Sequence, residues 1–250
     1  MTLQVRGLEF GYAQSEVLAG IDLVVEKAEL LAILGPNGVG KTTLLRCINA
    51  MLTPRQGVVM VENADIFSLS AQEIARNIAY VAQRADSGRM TAFDAVLLGR
   101  KPHLGWRVST NDVHHAEAAL HCVGMDHLAL RSINQMSGGE LQKVCIARAI
   151  AQAPRVLLLD EPTSALDLRN KLDILQTIQR IVREQQMAAV MTMHDLNSAL
   201  RFAHKLLFIK NGKVRTLCRP DEVQPAMIQD VYGVEVEILR HGERTLVVPH

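Results

Sequence analysis

Leu30-Leu31-Ala32-Ile33-Leu34-Gly35-Pro36-Asn37-Gly38-Val39-Gly40-Lys41-Thr42 is the stretch that decides how this chain folds. Its first five residues are continuously apolar, the mark of a strand buried on both faces. The next eight, Gly35 to Thr42, fit G-x-x-x-x-G-K-[ST]. Beyond them Leu44, Leu45, Ile48 and Met51 recur at helical spacing, which predicts a helix over Thr42 to Met51. The glycines let backbone N–H groups wrap a phosphate chain without Cβ clashes. The helix start adds partial positive charge. Lys41 is then placed to reach β- and γ-phosphates, and Thr42 to ligate Mg²⁺. A mere glycine turn is the competing reading, and the strand–loop–helix context counts against it.

Working outward, Leu3 to Phe10, Gly20 to Val25 and Gly57 to Val61 read as strands, with a turn at Thr53-Pro54. Another strand is expected over Ile78 to Ala82. From about Ala85 to Ala151 the pattern becomes helical: Thr91 to Gly99, Asn111 to Val123, and a helix from Ser137 to Ala151, with a Gly/Pro/Trp loop over Gly99 to Trp106. After Pro154 strands and helices alternate again. Val156 to Leu159 and Ala188 to Met193 have strand character. Leu168, Leu172, Leu175, Ile178 and Val182 line one helix face. Leu206 to Lys210 with Asn211-Gly212 starts a hairpin, and Val234 to Leu239 is a last short strand. The alternation implies an α/β fold with a mostly parallel sheet. The helical block reads as an insertion into it.

Composition bounds the function. In 250 residues, 48% hydrophobic content is ample for a packed core and argues against disorder. A net charge of +1 and 4% aromatics supply neither the basic field nor the stacking surface of a nucleic-acid binder, so no nucleic-acid partner is expected. No stretch approaches the length of a membrane span, and the N-terminus lacks secretory-signal character. A cytosolic chain is expected, touching a membrane only through a partner. Cys47, Cys122, Cys145 and Cys218 form no CxxC pair and read as free thiols, mostly buried. His114-His115 reads as a solvated helix face, lacking a carboxylate or cysteine at ligand spacing.

A second motif sits on the strand Val156 to Leu159, which ends in Asp160-Glu161. An acid at the end of a buried strand is how nucleotide sites place a carboxylate near Mg²⁺. Asp160 is the candidate metal holder, and Glu161 the candidate for polarising an attacking water. Two solvated acids at a strand end are the plainer alternative. Shortly before this strand, Gln135-Met136-Ser137-Gly138-Gly139-Glu140 opens a helix. Its Ser137 and glycines make a second anion-binding start with bare backbone N–H groups, or an ordinary Ser-capped helix.

That segment resembles the LSGGQ signature of ABC (ATP-binding cassette) ATPases. Further markers occur in that family's order along nearly the whole chain: Tyr12, Gln83, Ser164-Ala165-Leu166-Asp167 and His194. The resemblance implies a RecA-like P-loop core with an N-terminal antiparallel β subdomain. Segments 1–84 and 152–250 would form the nucleotide-binding core of a single 1–250 domain, and 85–151 the helical signature subdomain. It implies ATP and Mg²⁺ as cofactors. Tyr12 would stack on adenine, and Gly35, Pro36, Asn37, Gly38, Val39, Gly40, Lys41, Thr42 and Thr43 would hold phosphates. Thr42, Gln83 and Asp160 would serve the metal. Lys41, Gln83, Glu161 and His194 would serve hydrolysis. Ser137, Gly138, Gly139, Glu140 and Asp167 would meet nucleotide or chain across a head-to-tail homodimer. Two departures stand out. Met136 replaces the usual Leu, a volume-conserving swap. Glu140 replaces Gln and cannot donate hydrogen bonds when ionised, which puts the local hydrogen bonding in question.

Thr91 to His103 and the tail Val231 to Val236 with Val247-Val248-Pro249 resemble importers of iron chelates, haem and cobalamin. That resemblance implies a transport ATPase peripheral to the cytoplasmic face of the membrane, taking coupling helices from permease subunits and served by a substrate-binding protein on the far side. Arg84, Arg89 and Phe93 are the candidate permease contacts. A transporter of another cargo, such as a metal ion, polar solute or lipid, is an alternative. A soluble ABC ATPase of DNA repair, iron–sulfur assembly or translation is a more distant one.

Overall fold

A computed structural model of the chain describes residues 2–13, 15–83, 88–242 and 244–250. Strands β1 (Leu3–Tyr12), β2 (Ser15–Val25) and β3 (Leu30–Leu34) lead to helix α1 (Lys41–Ile48), then to β4 (Gln56–Val61) and the two-residue β5 (Ala64–Asp65). Helix α2 (Ala71–Asn77) precedes β6 (Ile78–Val81). Helices α3 (Ala92–Leu97), α4 (Thr110–Cys122) and α5 (Gly138–Ala151) come before β7 (Val156–Asp160). The chain continues through α6 (Leu168–Glu184), β8 (Ala188–Thr192), α7 (Leu196–Phe202), β9 (Lys205–Lys210) and β10 (Lys213–Cys218). It closes with α8 (Pro225–Tyr232) and the hairpin of β11 (Val236–His241) and β12 (Arg244–Pro249).

The central six-stranded sheet has the order β10-β9-β3-β8-β7-β6. Its pairings are parallel except for the β9–β10 hairpin at one edge. A four-stranded antiparallel sheet, β2-β1-β4-β5, forms a second layer. The sequence dictates this layering. In β3 every residue is buried, and successive side chains point to opposite faces. Leu31 and Ile33 join Val156, Leu158, Val190, Leu207 and Ile209 in one core, closed by α1 and the antiparallel sheet. Leu30, Ala32 and Leu34 join Leu157, Leu159, Met191 and Phe208 in the other, closed by the remaining helices. The amphipathic α1 drives Leu44, Leu45 and Ile48 fully into the first core. Each such burial contributes roughly 1.5–3 kcal/mol.

Several expectations are corrected. Strand β2 begins five residues before the expected Gly20, at Ser15, because its first half pairs with the end of β1 through register shifts. Helices α2, α7 and α8, which periodicity passes over, are present. The expected loop over Gly99 to Trp106 is a 3₁₀ segment in its first part, Leu98 to His103, and irregular only from Leu104 to Trp106. Arg100 anchors it: its Nε donates to Asp112 Oδ1 at 3.0 Å and its Nη1 to the carbonyl of Ala151 at 2.8 Å, all buried. Hydrogen bonds from Ser109, then the Arg100 guanidinium, hold the Asp112 carboxyl down at about 2. Gly99 is needed there, since a Cβ would sit 2.1 Å from the carbonyl oxygen of Arg148. Past this segment Trp106 projects fully into solvent.

None of the four cysteines is in a disulfide; Cys47, Cys145 and Cys218 are buried and Cys122 half-buried. Burial pushes the Cys47 thiol up to about 12. Among the described residues, no helix is long and apolar enough to cross a membrane.

Candidate active site

The parallel strands β3, β6, β7 and β8 release their chains at the same sheet edge, where ligands bind in open α/β folds. From β3 comes the loop Gly35 to Gly40, and from β7 the pair Asp160-Glu161. Gln83 follows β6, and His194 follows β8. The loop is tight against the sheet: a Cβ on Gly35 would lie 2.3 Å from the carbonyl oxygen of Ile209. Gly40, at φ 102°, caps α1 with a left-handed backbone and no side-chain hydrogen bond. The first N–H groups of α1 therefore face the cleft without a side-chain cap.

Lys41 begins α1 and is buried, with Nζ donating to the carbonyls of Gly35 (2.9 Å) and Pro36 (3.0 Å). Burial lowers its pKa, partly offset by the charges of Glu161 and Asp160. The ammonium is thus a desolvated cation folded over its own loop, suited to phosphate oxygens. Asp160 is 3% exposed and held from three sides. Its Oδ1 accepts from Thr42 Oγ1 (3.0 Å) and Thr192 Oγ1 (2.8 Å), and its Oδ2 accepts from Tyr80 Oη (3.1 Å). A hydroxyl and a carboxylate oxygen so juxtaposed, with a glutamine amide beside them, are the hard oxygen donors that suit Mg²⁺.

Glu161 adopts a left-handed backbone, φ 47°, unusual for a residue with a side chain. Its N–H donates to Thr192 Oγ1 at 2.8 Å. Such strain, on the order of 1–3 kcal/mol, is characteristic of functional positions. Here the turn presents the carboxylate to the cleft. Gln83 Nε2 donates to Glu161 Oε2 at 2.6 Å, and His194 Nε2 is hydrogen-bonded to Glu161 Oε1.

These groups share a cleft of about 560 Å³ lined by Tyr12, Asn37, Gly38, Gly40, Lys41, Thr42, Thr43, Gln83, Glu161 and His194. Gly35, Pro36 and Val39 shape the loop behind that lining; Val39 packs on the core. Tyr12 stands half-exposed at the rim, edge-on to Phe10 with centroids 4.9 Å apart. Ser137, Gly138, Gly139, Glu140 and Asp167 do not line the cleft. Ser137 caps α5, and Glu140 completes a capping box: its Oε2 accepts from Ser137 N and Oγ, each at 2.8 Å. The hydrogen bonding that Glu140 put in question is therefore satisfied, with the carboxylate as acceptor only. Gly139 packs against Asn170, which is tied to Asp167, the cap of α6. Of the candidate partner contacts, Arg89 is exposed, Phe93 half-buried against the helical core, and Arg84 lies outside the described residues, as does the expected boundary at 84/85.

Three site residues escaped the sequence reading: Val17 in the cleft wall, and Tyr80 and Thr192 on Asp160. Tyr80 and Thr192 reach Asp160 because β6 and β8 flank β7, a fact of strand order that no local pattern carries. For Val17, only an earlier start to β2 would have placed it.

A phosphate loop after one buried strand, facing a buried acid on a parallel strand one place further along the sheet, defines a P-loop nucleotide hydrolase. Comparison with known proteins narrows the class. Residues 18–164 match the family described as ABC transporter. An uncharacterised ABC transporter ATP-binding protein of Methanocaldococcus jannaschii is 45% identical over 249 residues, covering 100% of this chain and 98% of that one. A hemin import ATP-binding protein of Pseudomonas entomophila is 37% identical over 249 residues, covering 97% and 96%. Among solved structures, an inward-facing ABC transporter assigned to the metal-chelate type superimposes with a TM-score of 0.86 at 29% identity, covering 100% of this chain and 97% of its own. The chain belongs to the ABC transporter family, as an ATP-binding subunit whose ATPase activity is coupled to transport.

Proposed function

We propose that this chain powers import of a metal chelate, of the iron-siderophore, haem or cobalamin type, as one half of an ATP-driven homodimer. The observation that carries the dimer is spatial. Lys41, Thr42, Gln83, Glu161 and His194 line one cleft, while the Ser137-Gly138-Gly139 helix start lies outside it. A second phosphate-binding start unused by its own chain suits the nucleotide of another copy. The cargo class rests on the hemin import relative and the metal-chelate transporter likeness.

In this reading Tyr12 stacks on adenine, and the loop Gly35 to Thr43 cradles the phosphates with its N–H groups and Lys41. Thr42 and Asp160, with Gln83 beside them, would hold Mg²⁺, which when bound neutralises charge on phosphate oxygens. Glu161 orients a water for in-line attack on the γ-phosphate, and His194 fixes Glu161 and senses that phosphate; the work is positioning and electrostatics. Ser137 and Gly139 of the second copy close over the same phosphate, and Asp167 lies along the seam. Hydrolysis removes the bridging charge and lets the dimer reopen. The protein sits peripherally on the cytoplasmic face of the membrane. Arg89 and Phe93 lie on the surface that receives permease coupling helices, and a substrate-binding protein delivers cargo from the far side.

The test is Glu161→Gln. It should keep ATP affinity, accumulate as an ATP-bound dimer, and hydrolyse at least about a hundredfold more slowly, in the range lost when one transition-state contact is removed. Hydrolysis at the wild-type rate would show the assigned carboxylate to be wrong. Co-purification from membranes decides the cargo: permease subunits that take up ions, polar solutes or lipids would replace the chelate reading.

A further inference from the structure

His194 is 44% exposed at its side chain, so packing alone does not fix its ring against Glu161. It sits in a three-residue link between Thr192, the end of β8, and Leu196, the start of α7. The link is pinned at one end by Met193 N–H donating to the carbonyl of Ile33 at 3.1 Å. The other end is Asp195, which caps α7: its Oδ1 accepts from Asn197 N (3.1 Å) and Ser198 N (3.3 Å), and its Oδ2 from Ser198 Oγ (2.8 Å). Lys171 Nζ adds an ion pair to Asp195 Oδ2 from a different element. Burial pushes the Asp195 carboxyl up, but the hydrogen bonds and charge of Lys171 and those of Ser198 outweigh it and leave the net shift downward.

Lys171 is itself placed with care. It lies in the first turn of α6, its N–H donating to the carbonyl of the cap Asp167 at 2.9 Å. Glu161, Ser164, Lys171, Thr192 and His194 line one cavity of about 160 Å³. Lys171 thus joins the start of α6 to the residue that follows His194. We propose that Lys171 is a positioning residue for hydrolysis, holding the His194 segment through Asp195 so that the imidazole stays against Glu161. This rests on the catalytic roles proposed above for Glu161 and His194.

The pair is half-buried and contributes modestly to folding stability, so the sign of positioning is a loss of rate larger than any loss of melting temperature explains. Two variants of the full chain test it. Lys171→Met removes the charge and keeps most of the stem. Asp195→Asn drops the ion pair but keeps an oxygen to cap α7. Each should lower kcat by about tenfold, the scale of a sub-ångström misplacement of a catalytic group, with ATP KM unchanged and Tm only slightly lowered. Lys171→Arg should restore most of the rate. In a His194→Ala background, Lys171→Met should add almost nothing, since the group it positions is gone. Wild-type kcat in both variants, or the same tenfold loss on top of His194→Ala, overturns the proposal while leaving the dimer reading intact. A wild-type rate for His194→Ala alone would instead sink the assigned role of His194, and this inference with it.

Discussion

The two glycine-rich helix starts of this chain, at Lys41 on α1 and at Gly138 on α5, are built differently. The first has no side-chain cap: Gly40 holds a left-handed backbone, and the buried Lys41 lies over the loop. The second is closed by its own side chains, with Ser137 and Glu140 exchanging hydrogen bonds in a capping box. In the proposed site, an open start offers its N–H groups, with Lys41 folded over the loop, to a ligand's phosphates. A self-capped start is satisfied by its own side chains, and in the proposed dimer it would give up that cap to the phosphate of the other copy. The difference suits a site with one permanent half and one half that engages and releases.

The strongest way to break that comparison is complementation. Lys41→Ala and Ser137→Ala should each lower ATPase activity by about a hundredfold or more. A mixture of the two should regain activity, because one site in the mixed dimer combines an intact loop with an intact signature. No regain on mixing would mean that both starts serve a site within one chain. Next come the glycines. Gly35→Ala places a Cβ 2.3 Å from a backbone oxygen at a positive φ, and should destabilise by on the order of 1–3 kcal/mol or more. Gly139→Ala meets the Asn170 side chain, at 2.9 Å, and should cost less in thermal denaturation while still weakening ATP-driven dimerisation.

A smaller effect is expected at Glu140. Hydrogen bonds from the backbone and then the side chain of Ser137 hold its carboxyl below the usual range, so it is ionised at neutral pH. A negative charge at that helix start opposes an incoming phosphate. Glu140→Gln should tighten the ATP-bound dimer about two- to fivefold, from a helix-terminus charge of about 0.3–1 kcal/mol; sedimentation with ATP would read it. The last effect is on stability alone and concerns α4, whose start carries the same kind of box with Asp112, locked by Arg100. The carboxyl there is lowered from 3.8 to about 2. Its contribution to stability is complete above its unfolded value and is lost as pH falls towards about 2. Asp112→Asn should be less stable than the parent at neutral pH and should flatten the acid limb of the stability curve.

Much of this architecture could be read along the chain. The unbroken Leu30 to Leu34 and the loop after it carry a local signal strong enough to set β3, α1 and the phosphate side of the cleft. The acidic end of β7 does the same for the other side. Short helices were harder. Helix α2 has seven residues and no fully buried side chain, so it leaves no apolar period; its signal was the Ser70 and Glu73 capping box. Helix α8 carried Pro at its start and Gly233 at its end, a pairing visible in the sequence. The Leu98 to His103 segment depends on Arg100 meeting Ala151, 51 residues away, and nothing local foretells it. The same holds for Tyr80, Thr192 and Lys171 around the acids: each acts through a neighbour supplied by another element.

Trp106 gives the surface a built-in reporter. It is the chain's one tryptophan and stands wholly in water, so the tryptophan fluorescence of the protein has a single origin and should be strongly red-shifted and easily quenched. Whatever comes to cover that loop will declare itself in the colour of the emitted light, with no label attached.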